Sequence, residues 1–293
     1  MDATNGGDRL GELKRVIAGI EGRRVISTAV GAASVEGEGG AGLAFGLDDV
    51  DRRLGTAGGL AFGALHEVVC DEAREAGAVS GFAAALLARL LDRRGGRVLW
   101  IATAEARRET GRLAARGLGA FGLDPGRVVE VAVERVEEAL WAFEEGLGCR
   151  ATTAVVAEIP DRSIALDLTA TRRLALRAAR GAVAEAAGFG LLLRVGGRPQ
   201  TTAAATRWRV AALPSRALGD FAPGVGRPSL RLDLEKNRDG RLGRFAVEWS
   251  PHERRFVSLP AHSLAAPAVS ADRPAATQGG ARVLAFERSA RGG

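Results

Sequence analysis

The stretch that most constrains this chain is residues 47–91, which read as loop, short apolar strand, connection and apolar helix. Gly58, Gly59 and Gly63 punctuate the approach. Leu65-His66-Glu67-Val68-Val69-Cys70 has the length and apolarity of a buried strand. Residues 71–81 form the expected connection, and 82–91 the expected helix. A strand, a glycine-bearing loop and a helix in that order can hold phosphates on backbone N–H groups, with a lysine reaching the terminal ones. Here the frame is present and its chemistry is missing. Where Gly-Lys-Ser/Thr would be needed, the chain has Gly81-Phe82-Ala83. Lys14 and Lys236 are the chain's two lysines, and neither follows a glycine-rich loop. Asp71, Glu72 and Glu75 place like charge where an anion would sit. Gly77, Ser80, Gly81, Phe82 and Ala83 therefore read as a degenerate phosphate loop, and no nucleotide or other cofactor is expected there.

Downstream, strands and helices alternate as in a parallel sheet with crossover helices. Strands are expected at 97–102, 127–133, 153–159 and 189–195, and helices at 105–118, 134–147 and 163–187, the last capped by Asp161 or Ser163. The strand 153–159 carries Glu158 near its end. A carboxylate there can hold magnesium through water, or simply cap the Ile159-Pro160-Asp161 turn. Arg172, Arg173, Arg177 and Arg180 fall close to one helical face, either solvated or tracking phosphate. The loop with Arg198 and Gln200 leads into Arg207-Trp208-Arg209. Alternation puts the two arginines on one face and the indole on the other. That strand is either a core tryptophan between surface arginines or a cationic face for single-stranded DNA, with Trp208 stacking on bases if exposed. A strand at 229–234 and an antiparallel pair at 245–249 and 255–259 close the core.

The order Leu47-Asp48, Leu54-Gly55, Gly58-Gly59-Leu60, Gly63 and His66-Glu67-Val68 resembles the entry into the ATPase core of the RecA family. More closely it resembles the ImuA family, RecA-like proteins encoded beside bacterial mutagenesis polymerases. Two later stretches are similar to that family as well. One is Thr201-Thr202-Ala203-Ala204-Ala205-Thr206-Arg207-Trp208-Arg209-Val210. The other is Leu234-Glu235-Lys236-Asn237-Arg238-Asp239-Gly240 with the hairpin around Phe245-Ala246-Val247-Glu248-Trp249. The resemblance spans residues 43–260. It implies an α/β, RecA-like P-loop-type core with a mostly parallel central sheet flanked by helices and antiparallel strands at the C-terminal edge. It also implies a non-catalytic adaptor of damage-induced mutagenesis (translesion synthesis), working with an ImuB-like protein, an error-prone polymerase and RecA, and touching single-stranded DNA weakly. An active RecA-like ATPase and a cell-division inhibitor of the SulA type are the alternatives. Glu105 lies loosely where the RecA family places its water-activating glutamate.

The ends carry interaction candidates. Residues 1–26 contain an amphipathic helix with Leu10, Leu13 and Ile17 on one stripe. It either packs on its own domain or forms an interface. Residues 27–42 read as a flexible linker. Residues 261–293 read as a disordered tail bearing an apolar, basic peptide at 282–288, with Val283, Leu284 and Phe286 as docking side chains. Cys70 and Cys149 stand outside any paired motif, and the three histidines are scattered, so neither a disulfide framework nor a metal site is expected. No apolar run is long enough to cross a membrane and no apolar signal core opens the chain, so a cytoplasmic protein is expected. The net charge of +6 is carried almost wholly by arginine, which permits phosphate contacts without requiring them.

Overall fold

A computed structural model describes residues 42–160, 163–181, 188–196, 200–215, 226–238 and 240–260. The expected helix at 1–26 with Leu10, Leu13 and Ile17, nearly all of the linker, Arg198, and the tail with Val283, Leu284 and Phe286 lie outside the described residues.

The chain opens with β1 (Gly42–Leu43), a single turn α1 (Asp48–Asp51) continuing as 3-10 helix to Ala57, β2 (Leu60–Ala61) and β3 (Ala64–Cys70). There follow α2 (Ala76–Arg94), β4 (Arg97–Thr103), α3 (Ala104–Thr110), α4 (Ala115–Ala120), β5 (Val128–Val133), α5 (Val136–Gly148) and β6 (Thr152–Pro160). The core ends with α6 (Leu168–Gly181), β7 (Phe189–Val195), β8 (Thr206–Leu213), β9 (Ser229–Asn237), β10 (Gly243–Ser250) and β11 (Arg255–Ser258). Nine strands make one sheet in the order β11-β10-β9-β8-β3-β7-β6-β4-β5. From β8 to β5 all neighbours are parallel. β8 to β11 pair antiparallel at the other edge. The mostly parallel α/β sheet with an antiparallel C-terminal edge is thus as the sequence implies.

Alternation along the strands explains the layers. Val68, Val98, Trp100, Val156 and Leu191 face α2 in one core. Leu65, Leu99, Ile101, Val155, Ala157 and Leu192 face α5 and α6 in the other. Strands buried on both faces read as continuous apolar runs, which is why 189–195 is legible in the sequence to the residue.

Three boundaries differ from the sequence reading. The helix after β3 begins at Ala76 rather than at residue 82, so the connection is Asp71–Glu75 only. The buried face of the first turns is Ala76 and Val79, which Gly77, Ala78 and Ser80 surround with small and polar residues that read as loop. The single helix expected at 105–118 is broken in two at Gly111, which has φ +87. The long helix expected from residue 163 starts at Leu168, with Asp167 accepting from the Ala170 N–H at 2.7 Å in place of Asp161 or Ser163 as cap.

Long-range bonds join segments far apart in sequence. The carbonyl of Arg53 accepts from Asn237 Nδ2 at 2.6 Å and from the Arg241 N–H at 3.2 Å. A Cβ on Gly240 would fall 1.8 Å from that same carbonyl, so the turn after β9 needs glycine for a close approach. His66 is fully buried between Thr206 Oγ1, 2.8 Å from Nδ1, and the Ala61 carbonyl, 3.0 Å from Nε2. A carbonyl only accepts, so the proton sits on Nε2 and Thr206 donates to Nδ1. Trp208 Nε1 donates in turn to Thr206 Oγ1 at 3.1 Å. Burial holds the imidazole neutral, with its pKa pulled from 6.5 down to about 4.

Candidate functional site

Two groups of sequence candidates flank β3. The first, the strand–helix unit, lies at the carboxyl ends of the parallel strands, the usual ligand edge of such a sheet. Gly77, Ser80, Gly81, Phe82 and Ala83, expected in the loop, lie inside α2. Phe82 is fully buried, with ring centroids 6.0 Å from Phe45, 6.2 Å from Trp208 and 5.9 Å from Phe256. Phe82 therefore points into an aromatic core from the second turn of α2, and the helix itself opens on Ala76-Gly77-Ala78, with no lysine. Gly81 faces the other way, where the Phe121 ring would stand 2.6 Å from an added Cβ. Arg74 pairs with Glu72 at 2.9 Å in the solvent-exposed connection.

Beside these first turns of α2 lies a cavity of about 230 Å³ walled by Gly77, Ser80, Gly81, Phe121, Thr110 and Glu158 among others. Glu158 is nearly buried at 5% exposure. Its Oε1 is 2.7 Å from Thr110 Oγ1, and its Oε2 is 3.5 Å from Trp100 Nε1. Burial raises its pKa, against the lowering effect of those two bonds, and nearby Glu130 raises it further. Thr110 Oγ1 also lies 2.9 Å from the Ala106 carbonyl, and one hydroxyl proton cannot serve both acceptors. Burial disfavours the charged form of Glu158, which is the form that magnesium binds. Glu105, the other acidic candidate, is half-buried in the first turn of α3.

The second group is the basic strand β8. Trp208 is fully buried, with centroids 5.2 Å from Phe45 and 6.3 Å from Phe245. An exposed indole for base stacking is thus corrected: the ring belongs to the aromatic core that also takes Phe82. Arg207 Nε donates to Glu67 Oε2 at 2.7 Å, and its Nη2 donates to the Gln200 carbonyl at 2.5 Å. Glu67 is fully buried and also pairs with fully buried Arg194 at 3.4 Å. Arg209 is held by Asp71 and by Glu235, the latter at 2.5 Å. Gln200 is exposed. The two arginines are therefore spent inside the protein, one of them on a buried triad. The α6 stripe splits as well. Arg173 pairs with Glu144, and Arg177 Nε donates to the Glu144 carbonyl at 3.1 Å, while Arg172 and Arg180 are exposed.

Sequence reasoning missed the Glu67–Arg194–Arg207 triad and Thr110. A signal for the triad exists: Glu67 and Arg194 are charges inside otherwise apolar strands, and a buried charge requires a partner. Nothing in the sequence marks Thr110.

The chain is 35% identical over 242 residues to proteins named Protein ImuA from Caulobacter vibrioides, strains NA1000/CB15N and ATCC 19089/CB 15. The alignment covers 76% of this chain and 92% of each relative. No family model matches the chain.

Proposed function

This chain belongs to the ImuA family, and from that premise we propose that it is a RecA-like accessory protein of damage-induced mutagenesis without bond chemistry of its own. It acts in the cytoplasm as an adaptor, joining an ImuB-like protein and an error-prone polymerase at lesions, with RecA as a further contact. The RecA-like reading of the core is supported by the central place of β3, with α2 on one face and α5 and α6 on the other.

The observation that carries the non-catalytic reading is the opening of α2. The helix starts on Ala76-Gly77-Ala78 directly after the connection, so neither a lysine nor a hydroxyl stands where a phosphate grip needs them, and Phe82 in the next turn is a fully buried ring. The five-residue connection Asp71–Glu75 and the buried Glu158, whose pKa is raised, point the same way. Partner contacts then fall to the amphipathic segment with Leu10, Leu13 and Ile17 and to the tail peptide with Val283, Leu284 and Phe286. Direct DNA contact through Arg207 and Arg209 would require breaking their ion pairs, so it is at most an auxiliary activity of the loop with Arg198 and Gln200.

The test is thermal stabilisation of the purified full-length chain by magnesium and ATP in large excess. A ligand that binds the native state must raise its melting temperature. No shift is expected. A clear shift that Glu158→Gln abolishes would replace the adaptor with an unusual ATPase.

A further inference from the structure

Four large hydrophobic side chains are exposed among the described residues, and three belong to one stretch: Ile164 at 89%, Leu168 at 47% and Leu176 at 55%. Leu168, Arg172 and Leu176 succeed one another every fourth residue, on one side of α6. The opposite side of the helix is already anchored through Ala170, Thr171, Leu174 and Ala178, all buried. The outer stripe is therefore not needed to hold α6 on the sheet. Ala175 and Ala179 beside it, with Ala203 and Arg238 across the gap, complete a groove of about 450 Å³. Small side chains on that floor leave room for a second helix to approach.

The charge of the groove is one-sided. Arg172 and Arg238 line it, and no carboxylate does among the described residues. Arg238 Nη2 donates to the Ala203 carbonyl at 2.9 Å, a neutral partner. Arg172 is exposed, and no described carboxylate pairs with it.

We infer that this groove docks an amphipathic α-helix of another protein, one whose aliphatic stripe is flanked by carboxylates. The aliphatic stripe of the partner covers Leu168 and Leu176, and its acidic flanks meet Arg172 and Arg238. Charge excludes the chain's own apolar segments as occupants. Residues 8–24 carry five Arg and Lys against three Asp and Glu, and residues 282–288 carry two Arg against one Glu. A nucleic-acid strand would satisfy the arginines but leave Ile164, Leu168 and Leu176 in water, and none of these is an aromatic ring on which a base could stack. The inference goes beyond the adaptor reading and stands separately from it, since it concerns a surface and not a nucleotide.

The experiment uses the full-length protein and a fluorescein-labelled synthetic helix of about 18 residues, with leucines at helical spacing and flanking glutamates. Its lysine-flanked counterpart and an oligothymidylate serve as competitors, and binding is read by anisotropy. The glutamate helix is expected to bind and the lysine helix not. Leu176→Gln weakens binding by about tenfold or more. Arg172→Glu loses the glutamate helix and gains the lysine one. Both side chains are exposed, so the melting temperature should not move, and a retained melting curve shows that each variant is folded. The inference is overturned by no binding of the glutamate helix at about 100 μM, or by equal binding of both helices. It is also overturned by indifference to both variants, by displacement with oligothymidylate, or by self-association of the protein that Leu176→Gln abolishes. Stabilisation by ATP would remove the adaptor reading and leave this result untouched.

Discussion

Two buried carboxylates of the parallel strands, Glu67 on β3 and Glu158 on β6, are treated in opposite ways. Glu67 is held between two guanidinium groups, one fully buried and one nearly so. Glu158 meets only a hydroxyl and an indole, beside a cavity, and its pKa is raised. The first region compensates its charge by pairing it, and in the second burial disfavours the charge. Arg207 and Arg209 are engaged in ion pairs within the fold, and Glu158 is engaged by Thr110.

The comparison turns on Phe82, which closes the core between the two regions, and the largest effect is expected there. Phe82→Lys restores the letter of a phosphate loop. It forfeits about 3–5 kcal/mol of ring packing and adds the cost of a buried cation. Chemical denaturation should show a protein close to unfolded, with no nucleotide affinity gained. A stable Phe82→Lys protein that binds ATP would erase the distinction between this site and a working one.

Glu67→Ala comes next. It removes the buried carboxylate that Arg194 and Arg207 share and should cost about 3–5 kcal/mol, read as a lowered denaturant midpoint. A loss below about 1 kcal/mol would mean that the triad is no more than a solvated pair.

The pH dependence sharpens the contrast further. His66 is neutral in the fold, with a pKa near 4 against 6.5 when free. The unfolded chain therefore binds the proton first, and stability drains away as pH falls from 6.5 towards 4, by roughly 3 kcal/mol in all. His66→Gln, which keeps a donor and an acceptor in place, should flatten that slope. Glu158 works in the other sense. Its folded pKa is raised, so the unfolded chain releases its proton first, and stability falls as pH rises above 4.5 through its folded value.

The smallest effect is expected for Glu158→Gln near neutral pH, under about 1 kcal/mol, because burial already disfavours the charge that the amide removes and the amide can still bond Thr110 and Trp100. A penalty as large as that of Glu67→Ala would show that the charge of Glu158 holds the fold as that of Glu67 does, and the two regions would then be alike.

Much of the fold was legible because it rests on local periodicity. Phe189–Val195 is apolar on both faces, and α5 carries Ala139, Leu140, Phe143 and Leu147 on one side, so both are readable from spacing alone. The start of α2 was not, since its first turns hold Gly77, Ala78 and Ser80 and are fixed by what they pack on. The absence of a lysine after Gly81 was readable with no structure at all.

By itself, then, the sequence determined the α/β class, the run of parallel strands and the missing phosphate chemistry, because these depend on residue type and on spacing along the chain. Only the tertiary structure decided that Arg207 faces Glu67, that Trp208 lies with Phe45 and Phe82, that Glu158 is buried beside Thr110, and that α6 leaves Leu168 and Leu176 uncovered. The physical reason is that the charge state and exposure of a side chain are set by neighbours from distant strands. Glu67 and Arg207 are 140 residues apart, and no local pattern carries information across that distance.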